Sequence, residues 1–158
     1  TGLLKHADIK EQVAAEVERA ARRGTPSCVV MLDLDNFKRV NDRYGHAVGD
    51  NVIRALSNLL RQRLRRIDSL GRYGGEEFTA VLPECNLEQA KRIFDEIRLR
   101  FAELSFMAQD SSFNVTFSAG IAQSNKQTSA NQLIELADQA LYAAKAAGRN
   151  QVLCSPAT

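Results

Sequence analysis

The sequence predicts one α+β (mixed α/β) domain, with a central five-stranded, largely antiparallel sheet covered by helices. Amphipathic helical segments alternate with short strands in the order α-β-α-β-β-α-β-α-β. A Gly-Gly pair joins two consecutive strands in the middle of this alternation, which is typical of a sheet covered by helices. The chain has 158 residues, of which 44% are hydrophobic and 25% are charged. This length and composition suit one domain with a single core, and the chain is too short for two domains.

Apolar residues at helical spacing predict four helices, at residues 9–21, 52–64, 87–104 and 133–141. Gly24 and Pro26 stop the first helix, and Asp50 is a candidate N-cap for the second. A capping box at 129–132 precedes the fourth helix, and Gly148 ends it.

Five strands are predicted, at residues 28–32, 70–73, 78–82, 113–121 and 152–153. The first is apolar on both faces, as in strands buried at the centre of a sheet. Gly74 and Gly75 predict a hairpin between the second and third strands, because glycine accepts positive φ at low cost. The fourth alternates apolar and polar residues and is predicted to be half-buried.

Charge and cysteine content exclude some classes of protein. A net charge of +2 gives no indication of a nucleic-acid partner. No apolar run approaches the roughly 20 residues of a membrane span, and no secretory leader is visible. Three widely spaced cysteines without a CxxC motif indicate free thiols in a reducing cytosol, with Cys28 in the core. The chain begins at Thr1 without Met, and we expect residues 1–158 to be one domain of a longer protein.

Two acidic clusters carry the candidate chemistry. Asp33 and Asp35 follow the buried first strand, where poorly solvated carboxylates are naturally compensated by a divalent cation. Glu76 and Glu77 follow the Gly74-Gly75 pair, which would let a backbone approach an anionic ligand. Each cluster also has an ordinary interpretation, a turn or helix cap for the aspartates and a solvated hairpin for the glutamates.

Four sequence blocks resemble the GGDEF family of diguanylate cyclases. YGGEEF at 73–78 is similar to the family signature in its GGEEF spelling, and DLDNFKRVND at 33–42 is similar to the DLDxFKxxND block. Tyr44-Gly45-His46 with Gly49-Asp50, and ALYAAKAAGRN at 140–150, follow in order. Thr1-Gly2-Leu3 resembles the opening motif of the family, so the resemblance covers nearly the whole chain.

The resemblance implies a polymerase-palm or nucleotide-cyclase-like fold that condenses two GTP into cyclic di-GMP and two pyrophosphates. It implies Mg²⁺, with Mn²⁺ as an alternative, held by Asp33, the Leu34 carbonyl and Glu76. Glu76 is also the implied base for the 3′-hydroxyl, and Lys38 would stabilise charge developing on the phosphates.

The same resemblance implies the contacts to GTP. Asn41 and Asp50 would hold the guanine edge, since an amide and a carboxylate suit its O6 acceptor and its N1 and N2 donors. The other implied substrate contacts are Phe37, His46, Gly74, Gly75, and Lys145 and Arg149 on the β- and γ-phosphates. Asp35 and Glu77 are interpreted as supporting residues. Alternatives stay open for five of these residues. They are helix capping for Asn41 and Asp50, structural hydrogen bonding for His46, and pairing with the helix dipole for Lys145 and Arg149.

Arg65 and Asp68 form an RxxD pattern ahead of the Gly-Gly turn. At this offset the resemblance implies a product-inhibition site for cyclic di-GMP, in which Arg offers a fork for phosphate or guanine and Asp accepts from guanine. A second arginine from a partner surface would complete it, with Arg92 and Arg98 as candidates.

The implied reaction needs a homodimer, because one domain supplies one nucleophile and one leaving group. The resemblance further implies bacterial signalling, an upstream regulatory domain, and a cytoplasmic position with access to GTP. Three rivals remain: a degenerate module that binds GTP or cyclic di-GMP, an adenylate or mixed-nucleotide cyclase, and a purely structural interaction domain.

Overall fold

A computed structural model describes residues 3–156 and confirms the predicted fold class. Thr1 and Gly2 of the predicted opening motif lie outside the described residues. The helices are α1 (His6–Arg23), α2 (Phe37–Tyr44), α3 (His46–Arg63), α4 (Leu87–Glu103) and α5 (Ala130–Ala146). The strands are β1 (Leu3–Leu4), β2 (Ser27–Leu34), β3 (Ser69–Arg72), β4 (Glu77–Pro83), β5 (Phe106–Ala108), β6 (Ser111–Phe113), β7 (Phe117–Gln123) and β8 (Val152–Cys154).

Six strands form the main sheet, in the order β1-β3-β4-β2-β7-β8. β2 lies at its centre and is antiparallel to both β4 and β7. All eight residues of β2 are buried, which confirms the predicted central strand. The sheet has one strand more than predicted, because the two-residue β1 pairs in parallel with β3 at one edge. β8 pairs in parallel with β7 at the other edge.

Helices cover both faces of the sheet. Alternate residues of β2 point to opposite faces, as the period of a strand requires. Val30 and Leu32 belong to the core under α3 and α4, which contribute residues such as Leu56 and Phe94. Val29 and Met31 belong to a second core under α1 and α5. The apolar run that the sequence places in β2 therefore supplies both cores at once.

Two predicted element boundaries are wrong. A short helix, α2, follows β2, and α3 begins at His46 with Gly45 as its N-cap residue, so Asp50 is not a cap. The strand predicted at 113–121 is β7, which starts only at Phe117, and Phe113 instead ends β6. The Asn114 side chain donates to the carbonyls of Ala102 and Leu104 at the end of α4. This contact keeps Asn114 out of β7.

Helix α5 ends in a Schellman turn. The Gly148 N–H donates to the Lys145 carbonyl at 3.3 Å, and the Arg149 N–H donates to the Ala144 carbonyl at 3.0 Å. Gly148 has φ 118°, a conformation that favours glycine. The predicted end at Gly148 is confirmed, as is the capping box between Ser129 and Gln132.

The remaining predictions from composition concern thiols and membrane spans. Cys28 and Cys85 are buried, Cys154 is partly buried, and all three are free thiols. None of the helices among residues 3–156 is long and apolar enough to cross a membrane.

Candidate functional site

The two predicted acidic clusters meet where the central strand β2 ends and β4 begins, a part of the sheet here called the acidic edge. β3 and β4 form the predicted hairpin, and β4 pairs with β2 so that Glu77 lies opposite Asp33. The Leu34 N–H donates to the Glu76 carbonyl at 3.3 Å. This bond fixes the hairpin turn against the end of β2, and Glu76 therefore lies beside Asp33.

The positive φ predicted for the two glycines of this turn is wrong. Neither Gly74 nor Gly75 has positive φ; among the described glycines only Gly24, Gly45 and Gly148 do. A Cβ built on Gly75 would meet nothing within 4 Å. The Arg72 guanidinium donates to the Gly75 carbonyl and orders the turn. Because neither backbone conformation nor packing requires glycine at position 75, the open space beside it suits the close approach of a ligand.

Asp33 is a buried carboxylate with one oxygen left over. It is 4% exposed, and its Oδ2 accepts from the Lys145 Nζ at the end of α5. Its Oδ1 is buried and accepts no hydrogen bond from any residue between 3 and 156. Burial raises the pKa of Asp33 above its ordinary value, and the Lys145 ammonium opposes this rise without reversing it. The ionised carboxylate is therefore short of positive charge.

Glu76 and Glu77 are also short of neighbouring positive charge. Burial raises the pKa of Glu76, and the nearby Asp33 charge raises it further. The pKa of Glu77 is raised by burial, then by Asp33, and then by Asp138 on α5. Three carboxyl groups with raised pKa values at one sheet edge form a site that a cation would stabilise.

The donor set fits a hard divalent cation. No three His, Cys, Asp or Glu side chains gather in a metal-binding cluster within residues 3–156, so a site here would use the Asp33 and Glu76 carboxylates with a backbone oxygen. Oxygen ligands from a few protein groups, with the rest left to substrate and water, are typical of Mg²⁺. The unbonded Asp33 Oδ1 is the atom that such an ion would satisfy.

Asp35 is fully engaged within the protein. Its Oδ1 accepts from the Ser118 hydroxyl at 2.7 Å, and its Oδ2 accepts from the Thr116 hydroxyl at 2.7 Å and the Asn150 N–H at 2.9 Å. These bonds join the end of β2 to β7 and to the loop after α5. The sequence interpretation missed Ser118 and Thr116, although polar residues in an otherwise apolar strand are a signal that could have found them.

Asn41 and Asp50 lie on adjoining helices. A Cβ built on Gly49 would lie 1.9 Å from the Asn41 Oδ1, so the missing side chain at 49 makes room for the Asn41 amide. Asp50 is the next residue and is exposed. Both residues lie within helices rather than at their N-caps, so the capping alternative is wrong.

Four other predicted residues differ in how accessible they are. Phe37 is 6% exposed and belongs to the core, so its side chain supports α2 and offers little surface to a substrate. Lys38 and His46 are exposed at the starts of α2 and α3. Arg149 is exposed, and its charge, like that of Lys145, partly offsets the rise in the pKa of Asp33.

Arg65 and Asp68 bind each other across the RxxD spacing. The Arg65 Nη2 donates to the Asp68 Oδ1 at 2.8 Å and to the Pro83 carbonyl at 2.6 Å. The Asp68 side chain is 1% exposed, whereas that of Arg65 is 43% exposed. Of the two candidate second arginines, Arg92 is exposed, whereas Arg98 is bonded to Asp95 and Asn150.

This fold and this acidic edge, with Lys145 of α5 and Arg149 of the following loop beside it, define the palm-like class of nucleotidyl cyclase domains. A family model described as "Diguanylate cyclase, GGDEF domain" matches residues 1–151. The chain belongs to this family, which depends on divalent metal, and the resemblance stated from its motifs is confirmed.

Curated relatives and solved structures agree with this assignment. The chain is 39% identical over 152 residues to the diguanylate cyclase DgcP of Pseudomonas aeruginosa, covering 96% of the chain and 23% of DgcP. It is 36% identical over 156 residues to the response regulator PleD of Caulobacter vibrioides, covering 97% of the chain and 34% of PleD. The chain thus spans only about a quarter to a third of the length of these two relatives.

The solved structures include the GGDEF domain of DgcB from Caulobacter crescentus in complex with c-di-GMP. It matches with a TM-score of 0.94 at 30% identity, covering 98% of this chain and 90% of that one. The active GGEEF domain of a diguanylate cyclase from Vibrio cholerae matches with a TM-score of 0.91 at 32% identity, covering 99% of both chains.

Proposed function

We propose that this chain is the catalytic domain of a diguanylate cyclase that converts two GTP into cyclic di-GMP and two pyrophosphates. The observation that carries the proposal is the buried Asp33, whose Oδ1 has no bond from a described residue, beside Glu76 in the hairpin turn. In each half-reaction the 3′-oxygen of one GTP bonds to the α-phosphorus of the other, pyrophosphate leaves, and the hydroxyl proton is lost.

Mg²⁺ is the proposed metal, with Mn²⁺ as an alternative. Asp33, Glu76 and the Leu34 carbonyl would hold it, and when bound it would neutralise phosphate charge as a Lewis acid. The carboxyl groups at this edge have raised pKa values because they are buried together, and this excess of negative charge supports a cation here.

Glu76 is proposed to take the proton from the 3′-hydroxyl. A carboxylate with a raised pKa is a better base than an ordinary glutamate near neutral pH. Burial and the Asp33 charge both raise the pKa of Glu76, and its position in an exposed turn lets a substrate reach it.

The other proposed contacts divide between guanine and triphosphate. Asn41 and Asp50 would bind the guanine edge, with His46 close by, and the space at Gly75 would admit the nucleotide. Lys145, which is bonded to Asp33, and Arg149, whose charge acts on Asp33, would bind the β- and γ-phosphates. Lys38 would stabilise charge developing at the reacting phosphate.

The domain is proposed to act as a homodimer in the cytoplasm. A regulatory domain of the same, longer protein would control it. Each domain would present one GTP, so that two domains facing each other complete both attacks. Cyclic di-GMP would also inhibit, through Arg65 and Asp68. Because Asp68 is already bonded to Arg65, the accessible guanidinium would be the first contact for the product.

A direct test is incubation of an artificially dimerised form of the chain with GTP or ATP and Mg²⁺. We expect cyclic di-GMP from GTP and no cyclic dinucleotide from ATP, and we expect Glu76→Gln to abolish turnover. A dimer that makes no product from GTP would contradict the enzyme assignment. Full activity of Glu76→Gln would contradict the site, and a product from ATP would favour the mixed-nucleotide rival.

A further inference from the structure

The loop after α5 holds three successive residues in left-handed conformations. Gly148, Arg149 and Asn150 have φ 118°, 64° and 47°. For Arg149 and Asn150 this conformation is unfavourable, and it persists only where surrounding contacts impose it. Arg149 is also the residue proposed to bind the terminal phosphates, so whatever imposes this conformation also fixes its direction.

One set of contacts joins this loop to the acidic edge. The Asn150 N–H donates to the Asp35 Oδ2 at 2.9 Å, and Asp35 is held in turn by Thr116 and Ser118. This side of the loop is therefore tied to the end of β2, two residues from Asp33.

The other set comes from Arg98 on α4. The Arg98 Nη1 donates to the Asn150 carbonyl at 3.2 Å and to the Asn150 Oδ1 at 3.0 Å. Its Nε donates to the Asp95 Oδ1 at 3.2 Å, and the side chain is only 17% exposed. Two bonds to one residue, made by a guanidinium that Asp95 already orients, form a directional contact that a lysine could reproduce only in part.

We propose that Arg98 is a positioning residue for the triphosphate. It acts through Asn150 to hold Arg149 and the end of α5, and hence Lys145, in the arrangement that binds the β- and γ-phosphates. This inference rests on the proposed function. It predicts an effect confined to the phosphates, because the hydrogen bonds of Arg98 reach Asp95 and Asn150 and not Asn41 or Asp50.

The test measures binding of 3′-deoxy-GTP and 3′-deoxy-GMP, in Mg²⁺, to the whole chain and to its variants. Neither ligand has the attacking hydroxyl, so binding is separated from turnover. We expect Arg98→Ala to weaken 3′-deoxy-GTP binding about tenfold, the scale of one charged hydrogen bond, and to leave 3′-deoxy-GMP binding unchanged. Arg98→Lys should restore part of the loss. The matched control is Arg100→Ala, an exposed arginine on the same helix, and it should change neither ligand.

Two outcomes would overturn the proposal: unchanged triphosphate affinity in Arg98→Ala, or an equal loss for both nucleotides. If Arg98→Ala lowers Tm too far for binding work, Asn150→Gly carries the test. Glycine keeps the positive φ and both backbone bonds and removes only the Oδ1 contact, so a smaller loss confined to the triphosphate is expected, and no loss overturns the proposal. If the unsubstituted chain binds neither nucleotide, the proposed function fails, and this inference fails with it.

Discussion

At the scale of single residues, Asp33 shows a conflict between stability and function. Its carboxylate is 4% exposed, and one oxygen accepts no bond from a described residue. Burial outweighs the Lys145 ammonium and raises the pKa of Asp33. The ionised form therefore destabilises the metal-free fold, while the same uncompensated charge is what would bind a cation.

We predict that Asp33→Asn raises the Tm of the metal-free protein at pH 7. A folded-state pKa above the unfolded value means that ionisation costs stability at high pH, and that this cost disappears as pH falls through the raised pKa. The advantage of the variant should accordingly be largest near neutral pH and vanish below the ordinary value of 3.8. Calorimetry in EDTA between pH 3 and pH 8 measures it, with the exposed Asp42→Asn as control. A lower Tm for Asp33→Asn at pH 7 would show that the ion pair with Lys145 outweighs burial.

Asp50 is predicted to determine the preference for guanine. Its carboxylate would accept from N1 and from the 2-amino group, and inosine triphosphate lacks the 2-amino group. We expect Asp50→Ala to reduce the ratio of kcat/KM for GTP over inosine triphosphate by about tenfold, with most of the change in KM. Asn58→Ala, an exposed change on the same helix, is the control. A ratio that stays constant in Asp50→Ala would remove Asp50 from the base site.

At the scale of elements, α5 lies directly on β7. A Cβ built on Gly120 would lie 2.1 Å from the Leu141 nitrogen and 2.2 Å from the Ala137 oxygen. These are backbone atoms of a helix and cannot rotate aside. The absence of a side chain at Gly120 therefore sets how close α5, with Lys145 at its end, approaches the acidic edge.

Gly120→Ala is predicted to destabilise the protein by about 1–3 kcal/mol, the usual cost of overpacking a core. Urea unfolding gives the free energy, and Gly75→Ala is the matched control. Gly75 has open space and no positive φ, so its replacement should change stability by less than about 0.5 kcal/mol while raising KM for GTP. If Gly120→Ala loses as little stability as is expected of Gly75→Ala, α5 can move away from β7 without a measurable cost, and the prediction is wrong.

Local signals account for the elements that the sequence predicted correctly. The apolar run of β2, the Gly-Gly hairpin and the capping box at Ser129 each lie within a few consecutive residues. Two of the features that were missed depend on distant partners. β1 is two residues long and exists only through its pairing with β3, and the start of β7 depends on Asn114 binding the end of α4.

The candidate site divides in the same way. The resemblance to the family blocks predicted that Asp33 and Glu76 lie together, as ligands of one metal ion. The contact between Arg98 and Asn150 spans 52 residues, and no motif predicts it. The prediction of positive φ at Gly74 and Gly75 was wrong, and neither backbone conformation nor packing requires glycine at position 75.

At the scale of the whole molecule, the domain would supply the parts of one half of the proposed reaction. Glu76, the Asp33 carboxylate and the Lys145 cation all lie at a single edge of one sheet. The proposed product contains two phosphodiester bonds, each made by a different 3′-hydroxyl. Two copies facing each other would supply both, and each copy would activate its own GTP while attacking that of its partner.

This arrangement predicts a specific result for mixed dimers. If freely exchanging wild-type and Glu76→Gln chains are mixed in equal amounts, about a quarter of the dimers carry two intact sites by random pairing. Cyclic di-GMP formation per total chain should fall to that fraction of the wild-type rate. Dimers with one intact site can complete a single attack, so a linear dinucleotide should accumulate. Chromatography of the products separates the two species, with an equal mixture of wild type and Arg100→Ala as control. A rate that falls only by half, without the linear product, would show that one chain carries out both attacks, and the half-site proposal would then be wrong.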